Sequence, residues 1–357
     1  MISIRRRLRT TILAALILAL AAVSAQAFIF VHITDPHVNT SDSGRFREEG
    51  LESLQRTLDA IRVVRPAFVI VTGDLTERAD EVSFLRYRAE IDKLGIPVYS
   101  IQGNHDGGRN TELFNRTVGP THLAFDHEGC RFIGVNFDRG PEALDFLEAQ
   151  LDNAREAGIA NVFTFAHYPL LAPENPAFSI AAGFASITGE RATRYLDPAR
   201  RHKVIAHFCG HLHSHFDIAD PYTGVLSLAA PAVAGHNAYR VCSVSDGVLS
   251  WSVARAGTWP VAVLDGAQPS VQWSTARLEG KVTLRLLTFG PHPVATAEAW
   301  LGQDKQLDAV RDASGNFHIE LDCTELPNNF HVLRARIADE AGNQTEWSWR
   351  LLIKGGN

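Results

Sequence analysis

The chain has no excess of positive charge, no CxxC pair among its four cysteines, and no long apolar run after its first 27 residues. Each absence removes a class of function. With 34 Lys and Arg against 40 Asp and Glu, the formal net charge is −6, whereas nonspecific nucleic-acid binding wants a basic face. Without CxxC spacing, a thiolate zinc site has no ligand pair to build on. Cys130 and Cys209 lie in apolar, strand-like runs and read as small buried hydrophobes. Whether Cys209 bridges Cys242 the sequence leaves open. Without about 20 consecutive apolar residues, the body of the chain has no membrane span. Internal repeats and low-complexity tracts are absent too, and 45% hydrophobic against 21% charged residues is a balance that buries a core.

The first 27 residues differ from the rest. Arg5, Arg6, Arg7 and Arg9 form a basic start, Ile12 to Val23 is unbroken apolar, and Ala25-Gln26-Ala27 is the small-x-small pattern of a cleavage site. Twelve apolar residues are short for a span that needs about 20. The segment reads as a signal peptide for general secretion, and an uncleaved N-terminal anchor is the alternative. Without its four arginines the formal charge becomes −10, and the mature protein is expected to be exported, periplasmic or secreted.

A length of 357 residues suits about two domains. Strand patterns at Phe28–Thr34, Ala67–Thr72, Val98–Gln102, Arg131–Asn136, Val162–Ala166 and Val204–Cys209 are mostly apolar, as for strands buried on both faces. Helical patterns at Gly50–Val63, Asp80–Leu94 and Glu142–Ala157 alternate with them, which makes an α/β layered domain over 28–258. Residues 259–272, with Pro260, Gly266 and Pro269, read as a linker. Short strands at Lys281–Thr288, Ala295–Leu301, Asn316–Asp322, Phe330–Ala338 and Thr345–Ile353 then suggest a small immunoglobulin-like β-sandwich over 273–357.

The residues just after the strand runs carry the chemistry. Asp35-Pro36-His37 comes after the first, Gly73-Asp74 after the second and Gly103-Asn104-His105-Asp106 after the third. His167 ends Val162–Ala166, and Gly210-His211-Leu212-His213 comes after Val204–Cys209. In an open α/β sheet, ligands bind at the carboxyl ends of the strands, so these distant residues can converge. Two carboxylates, an amide and several imidazoles form a mixed N/O donor set, suited to Mn, Fe, Zn or Co rather than calcium or structural zinc. Seven donors exceed one tetrahedral site and fit two ions sharing a carboxylate. With 15 histidines, His-x-His arises by chance roughly 0.6 times and Gly-His-x-His roughly 0.05 times. The glycines at 73, 103 and 210 are expected to let the backbone turn sharply into the site.

This ordered series resembles the calcineurin-like metallophosphoesterases over about residues 28–255, most closely the branch with bacterial cyclic-nucleotide phosphodiesterases. The resemblance implies a double β-sandwich flanked by helices and a two-metal site. Asp35, His37 and His213 would hold one ion, Asn104, His167 and His211 the other, and Asp74 would bridge them. His105 matches the catalytic histidine that is not a ligand. The implied reaction is hydrolysis of a phosphate mono- or diester through a metal-bridging hydroxide, with His105 stabilising charge or protonating the leaving oxygen. Asp106 either orients His105 or caps a helix. Tyr168-Pro169 stands where many relatives carry His-Pro.

Around the site, the loops Gly107–Asn110, Pro169–Ala185 and Ala230–Tyr239 are expected to line a cleft. Leu170–Ile187 reads as a hydrophobic lid or a packed loop, Arg109 as a phosphate grip or a solvated side chain. His215 and His236 read as neighbours of the ligands or surface residues. The expected partner is a phosphoester substrate, with a surface or partner contact for the C-terminal domain and no specific nucleic-acid binding. Two other readings stand beside this one. One is a catalytically silent binding protein on the same fold, against which stands the complete set of ligands with His105. The other is an adhesion or recognition protein acting through the sandwich.

Overall fold

The structure, a computed structural model, describes residues 27–40, 49–108, 110–171, 187–221 and 223–355. The leader, Arg109 and most of Leu170–Ile187 lie outside the described residues.

The first sheet is built on β1 (Phe28–Ile33), β2 (Phe68–Thr72) and β3 (Val98–Ile101), which run parallel. The second contains β4 (Leu123–His127), β5 (Cys130–Gly134), β6 (Asn161–Phe165), β9 (Ala206–Cys209), β10 (Phe216–Ala219) and β11 (Leu226–Ala229) in the order β10-β11-β9-β6-β5-β4. A two-strand pair, β7 (Leu170–Leu171) with β8 (Ile187–Thr188), lies outside both. The chain then returns to the first sheet with β12 (Ala238–Ser245) and β13 (Val248–Arg255), giving the order β13-β12-β1-β2-β3.

Alternation along the strands explains the layers. In β1, Phe28 and Phe30 enter the space between the sheets while Ile29, Val31 and Ile33 face the helices. In β2, Phe68 and Ile70 face inward and Val69 and Val71 outward. The inner layer is aromatic: Phe30 stacks on Phe68 and meets Phe132 and Phe208 edge-on, at centroid separations of 5.2 to 5.5 Å. Leu54, Leu58 and Ile61 of α1 (Glu49–Val64) and Phe84, Tyr87 and Ile91 of α2 (Glu81–Ile91) cover the first sheet. The short α3 (Glu112–Thr117) adds Phe114 to that layer. Leu147, Leu151 and Ala154 of α4 (Pro141–Glu156) and Tyr195, Leu196 and Ala199 of α5 (Gly189–Arg201) cover the second. The result is helix, sheet, sheet, helix: the layered double sandwich the sequence led us to expect.

Part of the segment read as a linker is strand. Val261–Asp265 forms β14, whose short apolar run pairs along its whole length with β16 (Lys281–Phe289). The C-terminal part of the chain, from Val261 on, is a sandwich of two sheets, β14-β16-β20-β19 and β15-β22-β21-β17-β18. Its strands are β15 (Leu278–Glu279), β17 (Val294–Leu301), β18 (Lys305–Leu307), β19 (Ala309–Arg311), β20 (Phe317–Asp322), β21 (Asn329–Asp339) and β22 (Gln344–Lys354). Alternate residues such as Leu333, Ala335 and Ile337, or Trp349, Leu351 and Ile353, fill its core. The four cysteines are all buried and free. Cys209 and Cys242 are both free, so the bridge left open by the sequence is not formed. Among the described residues no helix is long and apolar enough to cross a membrane.

Candidate metal centre

All seven candidate ligands lie just beyond the carboxyl ends of β1, β2, β3, β6 and β9. Asp35, His37, Asp74, His211 and His213 have left-handed backbones, with φ between 45° and 68°. Such conformations cost of order 1–3 kcal/mol each and persist where the surroundings over-determine them. Here the surroundings are backbone hydrogen bonds. The His37 amide donates to the Asp74 carbonyl at 2.9 Å and Asp35 to Gly73 at 3.1 Å, while Val233 and Ala234 donate to Thr34 and Asp35. The first and second ligand loops are thereby tied to each other and to the loop after β11.

The carboxylates divide their oxygens between scaffold and site. Asp74 Oδ1 accepts the His105 amide at 2.8 Å, leaving Oδ2 at 3.2 Å from His167 Nε2 and 3.7 Å from His37 Nε2. Asp35 Oδ2 accepts the Thr34 hydroxyl and the His211 amide, at 2.6 and 3.1 Å, and Oδ1, which the same amide reaches at 3.3 Å, lies 3.2 Å from His213 Nε2. The imidazoles are oriented in the same way. His167 Nδ1 donates to the Thr72 carbonyl at 2.9 Å, and His37 Nδ1 donates to Glu77 Oε2 at 2.8 Å. Two groups share Asp74: Asp35, His37, Asp74 and His213, and Asp74, His167 and His211; a third, His37, Glu77 and His105, lies beside the first. The Asn104 amide oxygen joins the second at 2.9 Å from His167 Nε2. Asp74 belongs to both.

The donor set fits two cations. His37 Nε2 faces His213 Nε2 at 3.1 Å, and His167 Nε2 faces His211 Nδ1 at 3.1 Å and the Asn104 oxygen. With their Nδ1 protons committed elsewhere, His37 and His167 bring lone pairs to points where other acceptors converge, an arrangement a cation resolves. The electrostatics agree. Burial would lower the basicity of His167, but Asp74 and then Asp35 outweigh it and push its pKa up to about 10. Burial likewise works against ionised Asp35, yet His213, His167 and His37 hold it well below the usual carboxylate range. The field of the site selects positive charge, and a metal ion in place of the His167 proton meets the same carboxylates.

Four residues depart from the sequence reading. Asp106 neither orients His105 nor caps a helix. Its buried carboxylate accepts the Leu75, Thr76 and Gly103 amides at 2.8 to 3.0 Å and the Thr76 hydroxyl, locking the second ligand loop to the third. Burial and the neighbouring Asp74 push its pKa up to about 6. Among the three glycines, only Gly73 has positive φ. A methyl at Gly103 would overlap Asp74, and one at Gly210 would overlap the Thr34 hydroxyl and Asp35, so close approach rather than turning selects glycine there. Glu77, which the sequence reading passed over, holds His37 and has Oε2 3.7 Å from His105 Nδ1, while its carbonyl accepts that Nδ1 at 3.0 Å. Its only signal was its place three residues after Asp74.

Tyr168 packs its ring against His167 and His211 at about 5 Å and donates to Asp138 Oδ2 at 3.2 Å. His215 pairs with Asp217, and His236 is exposed, neither entering the two ligand groups.

Carboxylates, imidazoles and an amide, converging at the strand ends of a layered double sandwich, define a metal-dependent phosphoester hydrolase. The sequence pattern described as calcineurin-like phosphoesterase matches residues 28–215, and the chain belongs to that family. It is 24% identical over 202 residues to a probable glycerophosphodiester phosphodiesterase GpdQ of Arcobacter nitrofigilis, covering 52% of this chain and 71% of that protein. It is 32% identical over 109 residues to the DNA double-strand break repair protein Mre11 of Methanococcus maripaludis, covering 27% of this chain and only 29% of that protein. Among solved structures, a dimetal phosphatase from Danio rerio is similar with a TM-score of 0.48 and 14% identity, covering 63% of this chain and 95% of that one. A purple acid phosphatase from yellow lupin gives 0.49 and 14%, covering 65% and 52%.

Proposed function

We propose that the chain is an exported dinuclear phosphoesterase that hydrolyses a phosphate diester, with monoesters as the second substrate class. The observation that carries this reading is Asp74, whose one free oxygen serves both ligand groups. In this reading Asp35, His37 and His213 hold one ion, Asn104, His167 and His211 the other, and Asp74 bridges. Mn, Fe, Zn and Co suit this donor set. Bound there, two ions supply Lewis acidity to the phosphoryl oxygens and a water acidic near neutral pH.

The protein's own groups do the rest. His105 lies beside the ligands, its ring 4.8 Å from that of His37, and is half-exposed, so a substrate can reach it. Its Nδ1 donates to the Glu77 carbonyl, so Nε2 faces the leaving oxygen, and from the doubly protonated ring it delivers its proton there and leaves a neutral imidazole with Nδ1–H. Glu77 keeps the His37 ring in one tautomer. A diester is preferred because the GpdQ relative, matched over most of its length, carries a phosphodiesterase name.

Export rests on the basic, apolar and small-x-small leader; the C-terminal sandwich is read as an immunoglobulin-like accessory domain. The test is a panel of phosphodiesters, cyclic nucleotides and monoesters on protein reconstituted with each metal, beside N-terminal sequencing of the mature protein from cell fractions. Diester hydrolysis and an N-terminus near residue 28 are expected. Metal binding without hydrolysis of any ester would favour a silent binding protein, and an intact leader in the membrane fraction would favour an anchor.

A further inference from the structure

A cavity of about 650 Å³ lies where the C-terminal sandwich meets the layered domain that carries the candidate ligands, within the range of small-molecule sites. Strand register places its near wall beside the candidate ligands. Ala238 opens β12 and pairs with Arg255 at the end of β13, and Arg240 pairs with His32, three residues before Asp35. Phe216 pairs with Ala229, which pairs with Cys209, two residues before His211. His215, Pro231 and Arg255, all lining the cavity, therefore stand at the same end of the two sheets as the ligands.

The walls are aromatic and fixed. Trp251, Trp347 and Trp349 line the cavity, half of the chain's six tryptophans. Each indole N–H has a partner that sets its ring: Trp251 donates to Asp217 at 2.8 Å, Trp349 to Ser252 at 3.1 Å, and Trp347 to the Pro260 carbonyl at 3.1 Å. Asp217 in turn receives the fully buried Arg240 through two bonds of 2.7 and 2.8 Å, and pairs with His215 at 2.8 Å. One carboxylate thus positions a ring of the cavity and a histidine two residues from His213. A buried ion pair gives little net stability and is better at fixing one arrangement of its neighbours.

Strand edges border the rest of the cavity, whose lining also includes His215, Arg255, Glu346 and Arg350. β13 is the edge of its sheet, and β22 is paired on its cavity side only at Ile353 and Lys354. Over Glu346–Arg350 its edge meets the cavity, with Ser270 donating to the Arg350 carbonyl. The part-exposed indole of Trp347, backed by the buried rings of Trp251 and Trp349 and bordered by strand-edge amides and carbonyls, suits a planar aromatic group carrying polar substituents.

We infer that this cavity receives the non-leaving ester group of the substrate, that this group is aromatic, and that the C-terminal sandwich is thereby a wall of the substrate site. The inference rests on the phosphodiesterase reading. Its test compares bis(p-nitrophenyl) phosphate with methyl p-nitrophenyl phosphate, which share a leaving group and differ in the group left behind. Two variants of the metal-loaded enzyme are used: Trp347→Leu, which removes a wall, and Ser348→Trp, which fills the cavity from an exposed position. Both should raise KM for the diaryl ester about tenfold and leave the methyl ester within twofold, with Tm confirming that each variant folds. Equal effects on the two esters, or none on either, would overturn the inference and leave the phosphodiesterase reading standing. If the wild type hydrolyses neither ester, that reading fails, and calorimetry with 1-naphthyl and methyl phosphate decides the cavity alone. Tenfold weaker naphthyl phosphate binding in both variants would then support it, and unchanged binding would overturn it.

Discussion

Asp74 Oδ2 lies 3.2 Å from His167 Nε2 while its other oxygen is held by the amide of His105. The carboxylate that joins the two ligand groups is therefore also what fixes the backbone of the candidate acid. Position and chemistry are coupled through one side chain.

His105 is the first point of test. His105→Ala removes the proton donor and none of the ligands. Metal content should stay at the wild-type level, and kcat should fall by about 10²- to 10⁴-fold, the usual worth of a general acid. The loss should shrink for esters with acidic leaving groups such as p-nitrophenol, which leave without protonation. Steady-state kinetics with an alkyl and an aryl leaving group measure the difference.

Glu77 gives a second prediction. Glu77→Gln keeps the size of the side chain and removes the charge that holds His37 Nδ1. Affinity for one ion should fall about 10- to 100-fold, as for other partners behind a ligating histidine, while the ion at the His167 group is retained. Titration of metal into chelator-treated protein, followed by calorimetry, would resolve one weakened step and one unchanged step.

The glycine at 210 is a third. Gly210→Ala places a methyl against Thr34 and Asp35, neither of which has room to move. Overpacking of this kind costs roughly 1–3 kcal/mol, read from urea unfolding, and activity should fall with the displacement of Asp35. Gly95→Ala meets no neighbouring atom, although its φ of 68° strains a side chain, so activity there should be kept.

The nature of these glycines shows what was legible in the sequence. Gly-Asn-His-Asp and Gly-His-x-His identify the site because residue type and spacing are properties of the chain. The reason for the glycine is a contact between β1 and β9 loops, which are distant in sequence, and so it could not be read. The same holds for Asp106, whose four donors come from the second and third ligand loops. The strands buried on both faces, such as Phe28–Ile33, announced themselves by unbroken apolar runs. β12 and β13 carry Arg240, Ser243, Ser250 and Ser252 inside the fold, polar residues that hide a strand from a hydrophobicity pattern until their partners are known. The segment over β14 was obscured by Pro260 and Gly266 on either side of only five residues.

Acid should unfold the protein through its buried ionisable groups. Burial lowers the pKa of His207 from 6.5 to about 4, only partly opposed by the Tyr168 carbonyl. The folded state keeps this ring neutral while the unfolded chain takes up its proton, so stability is lost as pH falls from 6.5 toward 4. That amounts to roughly 2 kcal/mol between pH 7 and pH 5. Asp217 adds to the loss at lower pH: burial would raise it, but Arg240 holds it at about 2, so its contribution disappears as pH falls from 3.8 toward 2. Urea midpoints of metal-free protein across this range should drop accordingly, and His207→Gln should flatten the upper limb.

Counting metal ions on purified protein and on Asp74→Asn tests the shared-carboxylate centre most directly. Elemental analysis after reconstitution should find two ions per wild-type chain, and at most one in the variant, with diester hydrolysis reduced at least about a thousandfold. Two ions retained in Asp74→Asn with full turnover would contradict a centre bridged by Asp74.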